Sequence, residues 1–237
     1  MRPLLRWTIG PVHDCGFDVL EESVRQMRKI YPSFDLAICH NQLSPKQLER
    51  IGRLDVQLVD QSKYISECGV APRVGYSVEW KLYPPRLRPR SHEIFMDNDI
   101  VICNRVLSID KWLGHDNETL LYQGLHGLHG SYSGVVPKGV RINSGIFGLP
   151  PDFQFGDKIA EQSQPFSGYF DEQGLVAKIL LQEPHRIIPL TVIPIVEHDW
   201  PLDAHDKNLD CCGYHFVGAN KRDHPEFRKF MLRKTLL

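Results

Sequence analysis

The stretch Glu93-Ile-Phe-Met-Asp-Asn-Asp-Ile-Val-Ile102 constrains this chain more than any other. A short apolar run of strand length, rich in β-branched and aromatic residues, ends in two aspartates one residue apart, and a second apolar run follows. Such a strand delivers Asp97 and Asp99 to the rim of a sheet. Two carboxylates that close repel each other unless a cation lies between them. A hard divalent ion takes one or two carboxylates and fills its other positions with water and phosphate oxygens. The stretch therefore reads as the meeting point of a metal ion and a diphosphate. Asp-Asn-Asp is also sound β-turn chemistry, so on these residues alone a plain turn stays open.

With 237 residues and 42% hydrophobic content, the chain can build one sizeable core. A formal net charge of -1 gives no global footprint for nucleic acid, so charged partners must be met by local patches. None of the six cysteines, Cys15, Cys39, Cys68, Cys103, Cys211 and Cys212, has CxxC spacing. Three lie in apolar runs, where a reduced thiol packs as a small hydrophobe, and a reducing compartment is the simplest account. The N-terminal Met-Arg-Pro-Leu-Leu-Arg-Trp has no long apolar segment, and no stretch approaches membrane-span length. A soluble cytoplasmic protein, with no membrane association indicated, is the expectation.

Strand and helix patterns alternate along the chain. Residues 4–10 read as a strand broken by Gly10-Pro11. A loop carrying His13, Asp14 and Gly16 leads to a helix over 18–31, with Leu20, Val24, Met27 and Tyr31 on one face. Residues 35–40 form a second strand, Ser44-Pro45 opens a short helix to Ile51, and 56–59 form a third strand. A long loop is expected over 61–75 and a short helix over 77–82. Arg86-Leu-Arg-Pro-Arg90 reads as a solvated basic connector or a phosphate clamp. Further strands are expected over 119–123, over 141–149 with an interruption at Asn143-Ser144-Gly145, and over 186–190 and 214–217, with helical turns over 108–113 and a helix over 171–182. A basic amphipathic helix over 224–237 should pack through Phe227, Phe230 and Met231. The run Gly124-Leu-His-Gly-Leu-His-Gly130 reads as a mobile loop near a ligand; in it His126 and His129 lack a third metal-binding partner. This pattern, without repeats or linkers, predicts an α/β fold in a single domain over 1–237, its central sheet mostly parallel and flanked by helices.

Polar residues gather at predicted strand ends and helix starts, where open α/β sheets put ligand sites. They are Lys81, Asp97, Asp99, Asn143, Ser144, Glu172, Gln173, His215 and Lys221. His215 lies in Gly213-Tyr-His-Phe-Val-Gly218, a strand ending in glycine. A histidine there can complete a carboxylate metal site, glycine lets backbone approach a phosphate, and Lys221 adds a compact positive charge. Taken alone, His215 is more simply read as a hydrogen-bonded core histidine.

Five strings resemble one family, in order and spacing, across residues 1–225. Phe-Met-Asp-Asn-Asp-Ile-Val-Ile resembles the DxD segment of retaining glycosyltransferases of the glycogenin and galactosyltransferase type, which have the GT-A fold. Arg-Ile-Asn-Ser-Gly-Ile-Phe-Gly-Leu-Pro is similar to their Asn-Ser/Ala-Gly strand, and Phe-Asp-Glu-Gln-Gly-Leu-Val to their Asp-Gln helix start. His-Phe-Val-Gly-Ala-Asn-Lys resembles their His-x-x-Gly-x-x-Lys terminus, and Trp80-Lys81-Leu82 the lysine helix before the DxD strand. The resemblance implies one GT-A domain with a small antiparallel addition, and sugar transfer from a nucleotide-sugar donor such as a UDP-sugar. It further implies Mn2+ or Mg2+ on Asp99 and His215, with Asp97 on the metal and the ribose. Lys221 and Gly218 would meet the diphosphate, and Thr8 and Gly10 the base. Lys81, Asn143, Ser144, Glu172 and Gln173 would surround the donor sugar, with Glu172 and Gln173 catalytic. The acceptor, a glycan, a lipid-linked sugar or a small molecule, is not specified.

Three departures stand out. Arg222-Asp223 replaces the family's Pro-Trp after the terminal lysine, Glu172 stands where aspartate is usual, and Asn98 is not a small residue. The first weakens the diphosphate end of the comparison and the second leaves the sugar open. Asp97 to Val101 also fits the Asp-x-Asp-x-Thr/Val string of haloacid dehalogenase phosphohydrolases, with Asp206 and Asp210 as a late acidic pair and Asp97 as nucleophile. A sugar nucleotidyltransferase would need a glycine-rich, arginine-containing loop after the first strand, which is missing. A non-catalytic nucleotide-sugar binding protein is the alternative of a different class.

Overall fold

Alternation of side chains along the central strands decides the layering. The computed structural model describes residues 1–62, 64, 79–162, 166–197, 199–205 and 208–235. In chain order its elements are β1 (Leu4–Ile9), α1 (Asp14–Ile30), β2 (Asp35–His40), α2 (Pro45–Gly52), β3 (Gln57–Asp60) and a 3-10 turn at Glu79–Leu82. Then come β4 (Glu93–Asp97), β5 (Ile100–Ile102), α3 (Leu107–Trp112), β6 (Thr119–Gln123), a 3-10 turn at Gly130–Tyr132, β7 (Ile142–Leu149) and α4 (Phe155–Ala160). The chain continues through α5 (Asp171–Leu180), β8 (His185–Ile188), β9 (Ile195–Val196), β10 (Gly213–Phe216) and α6 (Pro225–Thr235).

Seven strands form one sheet in the order β3-β2-β1-β4-β7-β6-β8. β1 is parallel to β2 and β4, β2 to β3, and β6 to β8, while β7 runs antiparallel between β4 and β6. This is the mostly parallel, helix-flanked sheet that the strand–helix alternation predicts. The small second sheet, β5-β10-β9, is mixed: β10 is antiparallel to β5 and parallel to β9.

All six residues of β1 are buried, as a central parallel strand covered on both faces requires. In the strands beside it, alternate side chains enter opposite layers. Ile94, Met96, Leu120, Tyr122 and Ile146 join Phe17, Leu20, Val24 and Met27 of α1. Phe95, Leu121, Phe147 and Leu149 join Leu175, Val176 and Ile179 of α5. A third cluster packs Val101 and Phe216 of the small sheet against Phe227 and Phe230 of α6. The chain steps outward from β1 to β3, then returns to β4 on the other side of β1. That reversal opens a crevice at the carboxyl ends of the strands, where such sheets bind ligands. There Thr8 of β1 and Asp97 of β4 are partners in register.

Several local expectations need correction. α1 starts at Asp14 because His13 Nδ1 accepts the Cys15 N–H at 3.2 Å, so His13 to Gly16 are a cap and first turn, not a loop. α4 and β9 are six and two residues long, too short to show a period in sequence. The expected loop over 61–75 lies almost wholly outside the described residues. Its first residue, Gln61, is buried and donates Nε2 to the carbonyls of Trp80 (3.0 Å) and Tyr83 (2.5 Å), which ties down the Glu79–Leu82 turn.

In the basic segment after that turn Arg90 is exposed, but Arg86 and Arg88 are engaged within the fold. Arg86 is 6% exposed at its side chain, with Nε 3.3 Å from Glu93 Oε2. It also donates to the carbonyls of Pro150 (2.9 Å), Arg88 (3.0 Å) and Ser91 (2.6 Å). Arg88 pairs with Asp35. On α6, Lys229 and Arg233 pair with Asp203, Lys234 with Glu22 and Arg228 with Asp223, while Phe227 and Phe230 are buried. This is a packed terminal helix, as its apolar stripe predicts. Among the described residues, no helix is long and apolar enough to cross a membrane.

Candidate functional site

The carboxyl rim of the sheet holds a cleft of about 540 Å3, within the size range of small-molecule sites. All twelve residues singled out in the sequence line it: Thr8, Gly10, Lys81, Asp97, Asp99, Asn143, Ser144, Glu172, Gln173, His215, Gly218 and Lys221. They come from segments more than two hundred residues apart. β1 contributes Thr8, the end of β4 Asp97, the tight turn into β5 Asp99, β7 Asn143 and Ser144, α5 Glu172 and Gln173, and β10 His215. A second, smaller cavity of about 230 Å3 beside Leu125, Pro194, Ile195 and Trp200 is apolar and holds none of these groups.

At one end of the cleft Asp97, Asp99 and His215 each offer a ligand atom, and these atoms lie within 4.8 Å of one another. His215 Nε2 is 3.2 Å from Asp99 Oδ1, yet no donor is aligned on that oxygen, which is buried and without a hydrogen-bond partner. A buried carboxylate oxygen left without a donor is costly unless a cation meets it. Two carboxylates and an imidazole, with an open side toward the cleft, fit a hard divalent ion. His126 and His129 do not join a second such cluster: among the described residues, Asp97, Asp99 and His215 are the one group of three.

Next to this cluster Lys81 bridges two carboxylates, 3.1 Å from Asp97 Oδ1 and 3.1 Å from Glu172 Oε1, and donates to Ser144 Oγ at 3.4 Å. Burial works against the ammonium charge, but Asp97 and Glu172 outweigh it, so the Lys81 pKa is raised and the side chain stays protonated. One ammonium cannot neutralise both the buried Glu172 and the half-buried Asp97. Burial pushes Glu172 up to about 7, with Lys81 opposing the shift and the Asp97 charge adding to it. Ser144 donates Oγ–H to Glu172 Oε2 at 2.9 Å, and its backbone N–H reaches Gln173 Oε1 at 3.4 Å. Asn143 Oδ1 is taken up locally, accepting the Gly145 N–H at 2.7 Å.

The Glu172 shift makes a prediction with a definite sign. Its folded pKa lies above the ordinary value of 4.5, so its contribution to stability is full below about pH 4.5 and is lost as pH rises through about 7. Glu172→Gln is expected to remove that loss, which the shift bounds at roughly 3 kcal/mol. Urea unfolding of both proteins at about pH 5 and about pH 8 checks it. An unchanged pH slope in the variant means that the proton is not on Glu172.

Just past His215, Gly218 has φ +98°, a conformation open to glycine, and this turns the chain so that Lys221 N–H bonds the Gly218 carbonyl at 3.0 Å. The Lys221 ammonium lies 5.7 Å from the ring centroid of Tyr169. Tyr169, with Trp80, Asn98 and Asn220, also lines the cleft, although none of the four was given a binding role in the sequence analysis. Each stands within one to four residues of a motif residue, which is the only sequence signal for it. Asp171 was missed for another reason. It reads as an ordinary helix-start acid, yet it is fully buried and accepts the N–H groups of Ser131 (2.7 Å), Gly168 (2.8 Å) and Ser167. Burial would raise its pKa, but these donors outweigh it and hold it at about 2. Through Ser131, Asp171 ties the glycine-rich segment to α5, and Gln173 adds a bond from Nε2 to the Leu128 carbonyl.

No family model matches the sequence, and no curated protein matches it. Solved structures do match its shape. The chain superposes on the galactosyltransferase LgtC, solved with donor and acceptor sugar analogues, at a TM-score of 0.62 and 9% identity over 99% of this chain and 96% of that one. The apo bifunctional glycosyltransferase WbbM gives a TM-score of 0.62 and 14% identity over 93% of this chain, which spans only 46% of WbbM. Apo mouse xyloside xylosyltransferase 1 gives 0.54 and 10% identity, covering 94% of this chain and 99% of that one. The chain has the GT-A fold. At these identities the likeness concerns the backbone frame, and the haloacid dehalogenase fold is not the one found. In the GT-A frame, the DxD turn and the His215 strand belong to the small sheet through the pairing of β5 and β10.

Proposed function

We propose that this protein is a metal-dependent glycosyltransferase, one domain over residues 1–237, that takes a sugar from a nucleoside-diphosphate donor, with UDP-sugars the first choice. The observation that carries this reading is the meeting of Asp97, Asp99 and His215 with the Lys81–Glu172 pair in one cleft of a GT-A fold. Neighbours of that fold are glycosyltransferases, among them one solved with donor and acceptor analogues. Retention of configuration is proposed with it, by analogy with the retaining family that the motifs resemble.

Asp97, Asp99 and His215 would hold Mn2+ or Mg2+, which supplies charge neutralisation at the departing diphosphate. Lys221 adds a positive charge to the same diphosphate, and the turn at Gly218 brings backbone close to it. Thr8 and Gly10 take the base end, where the Trp80 ring lies so close that a Cβ on Gly10 would stand 3.1 Å from it. Lys81, held protonated, orients sugar hydroxyls with Asn143 and Ser144. Glu172 and Gln173 line the sugar face. An LgtC variant is described as an active-site mutant with glutamate in place of glutamine, which supports giving Gln173 a part here. The acceptor is a glycan, a lipid-linked sugar or a small molecule, and the cytoplasm is the proposed place of action.

A screen of nucleotide sugars tests this reading. Nucleoside diphosphate should be released from one UDP-sugar in the presence of Mn2+, with release abolished by EDTA. Metal-dependent nucleotide binding without release from any donor would favour a non-catalytic binding protein.

A further inference from the structure

Asn98 and Asn220 form a reciprocal amide pair beside the metal cluster. Asn98 Nδ2 donates to Asn220 Oδ1 at 2.6 Å, and Asn220 Nδ2 donates back to Asn98 Oδ1 at 3.2 Å. The remaining donors are used as well. Asn98 Nδ2 reaches the Gly16 carbonyl at 3.2 Å, and Asn220 Nδ2 reaches Asp99 Oδ2 at 3.3 Å. Each amide has two N–H donors and one oxygen, so every one of these groups is satisfied in this single arrangement. The main-chain carbonyl of Asn220 accepts the His13 N–H at 3.0 Å. Asn98 is 4% exposed, so water does not compete strongly for its bonds.

We propose that Asn220 is a positioning residue for the cation. It holds Asp99 through Oδ2 and leaves Oδ1, the oxygen on the His215 side, without a donor. Asn220 also sits on the Gly218–Lys221 turn, so the amide pair ties Asp99 to the segment proposed to meet the diphosphate. Asn98 then has a reason to occupy the middle of Asp-x-Asp, because a smaller residue there would leave Asn220 without its pair. α1 closes the third side: a Cβ on Gly16 would lie 2.4 Å from Asn220 Oδ1, 2.9 Å from Val12 Cγ2 and 3.3 Å from the Asn220 Cα, so any larger residue there must push the Asn220 amide aside. This inference rests on the metal site proposed above.

The test is Mn2+ affinity, measured without nucleotide and with UDP, on the full chain, with the melting temperature in EDTA as the control for folding. Outer-shell partners of metal ligands are typically worth 10- to 100-fold in metal affinity. Asn220→Ala should therefore weaken Mn2+ binding by roughly that factor while the metal-free melting temperature moves by only a few degrees. Adding Asn98→Ala should cost little more, because the two side chains act as one unit. Gly16→Ala touches none of the three ligands and should weaken Mn2+ in the same direction. It also keeps the test open if Asn220→Ala does not fold. Mn2+ affinity in Asn220→Ala or Gly16→Ala equal to the parent's overturns the positioning role. A parent protein that binds no Mn2+ in either condition overturns the metal reading itself, and the two failures are told apart by the parent's own titration.

Discussion

With Mn2+ or Mg2+ present, UDP at about a hundred times its dissociation constant is expected to raise the melting temperature by roughly 5–10 °C, and without metal to leave it unchanged. The size follows from linkage: a ligand at that concentration adds about 2.7 kcal/mol to the folded state, and a chain of this length gains roughly 2–4 °C per kcal/mol. The metal requirement follows from charge. Asp97 and Asp99 present two carboxylates beside the place proposed for the diphosphate, so without a cation they repel it. Asp99 is the residue to test, because its side chain is 9% exposed against 29% for Asp97, and its Oδ1 has no hydrogen-bond donor. Asp99→Ala should abolish the metal-dependent shift. A variant that keeps the full shift would remove Asp99 from the metal site, and a parent shift that is the same in EDTA would remove the metal.

Glu93→Ala is expected to cost roughly 3–5 kcal/mol of stability, the range found when one partner of a buried ion pair is deleted. Glu93 is fully buried and lies between two arginines, 3.4 Å from Arg6 Nη1 and 3.3 Å from Arg86 Nε. It also accepts the backbone N–H groups of Leu87 and Arg88 at 3.0–3.1 Å. Arg6 has no exposed surface, and its guanidinium lies 3.6 Å from the Phe95 ring centroid. Removing the carboxylate leaves two buried cations and two backbone donors without their acceptor. The consequence reaches the cleft, because Arg6 donates Nη1 to the Pro84 carbonyl at 2.7 Å and Nη2 to the Lys81 carbonyl at 3.1 Å. Chemical denaturation measures the loss; a cost below about 1 kcal/mol would mean that water reaches both arginines once Glu93 is gone.

Much of this protein is legible in its residues. Short apolar runs of strand length mark β1, β2, β4 and β6, because strands covered on both faces admit few polar side chains, and a helical stripe marks α1, because a helix buried on one face repeats about every 3.6 residues. The cleft residues are legible for a related reason. Strand ends and helix starts fall where runs stop, and an α/β sheet gathers those ends on one rim. Thus Asp97, Asn143 and His215 could be anticipated as neighbours although β4, β7 and β10 are far apart in the chain.

What the sequence leaves open is the state of individual polar groups, because desolvation depends on what packs over them. Arg86 and Arg88 look like solvent-facing charges until Glu93 and Asp35 are brought against them. Asp171 looks like a helix-start acid until the glycine-rich segment delivers Ser131, and Glu172 like an ordinary carboxylate until burial shifts its proton. Asn98 and Asn220 stand 122 positions apart, and no local pattern pairs them. The layered α/β frame, and the rim on which the Asp-Asn-Asp turn had to sit, can be read from the residues alone, since both follow from apolar patterning and the burial of apolar faces. That this turn faces His215, that one oxygen of Asp99 is left without a donor, and that Asn220 holds the other all depend on contacts that exist only after the chain closes on itself.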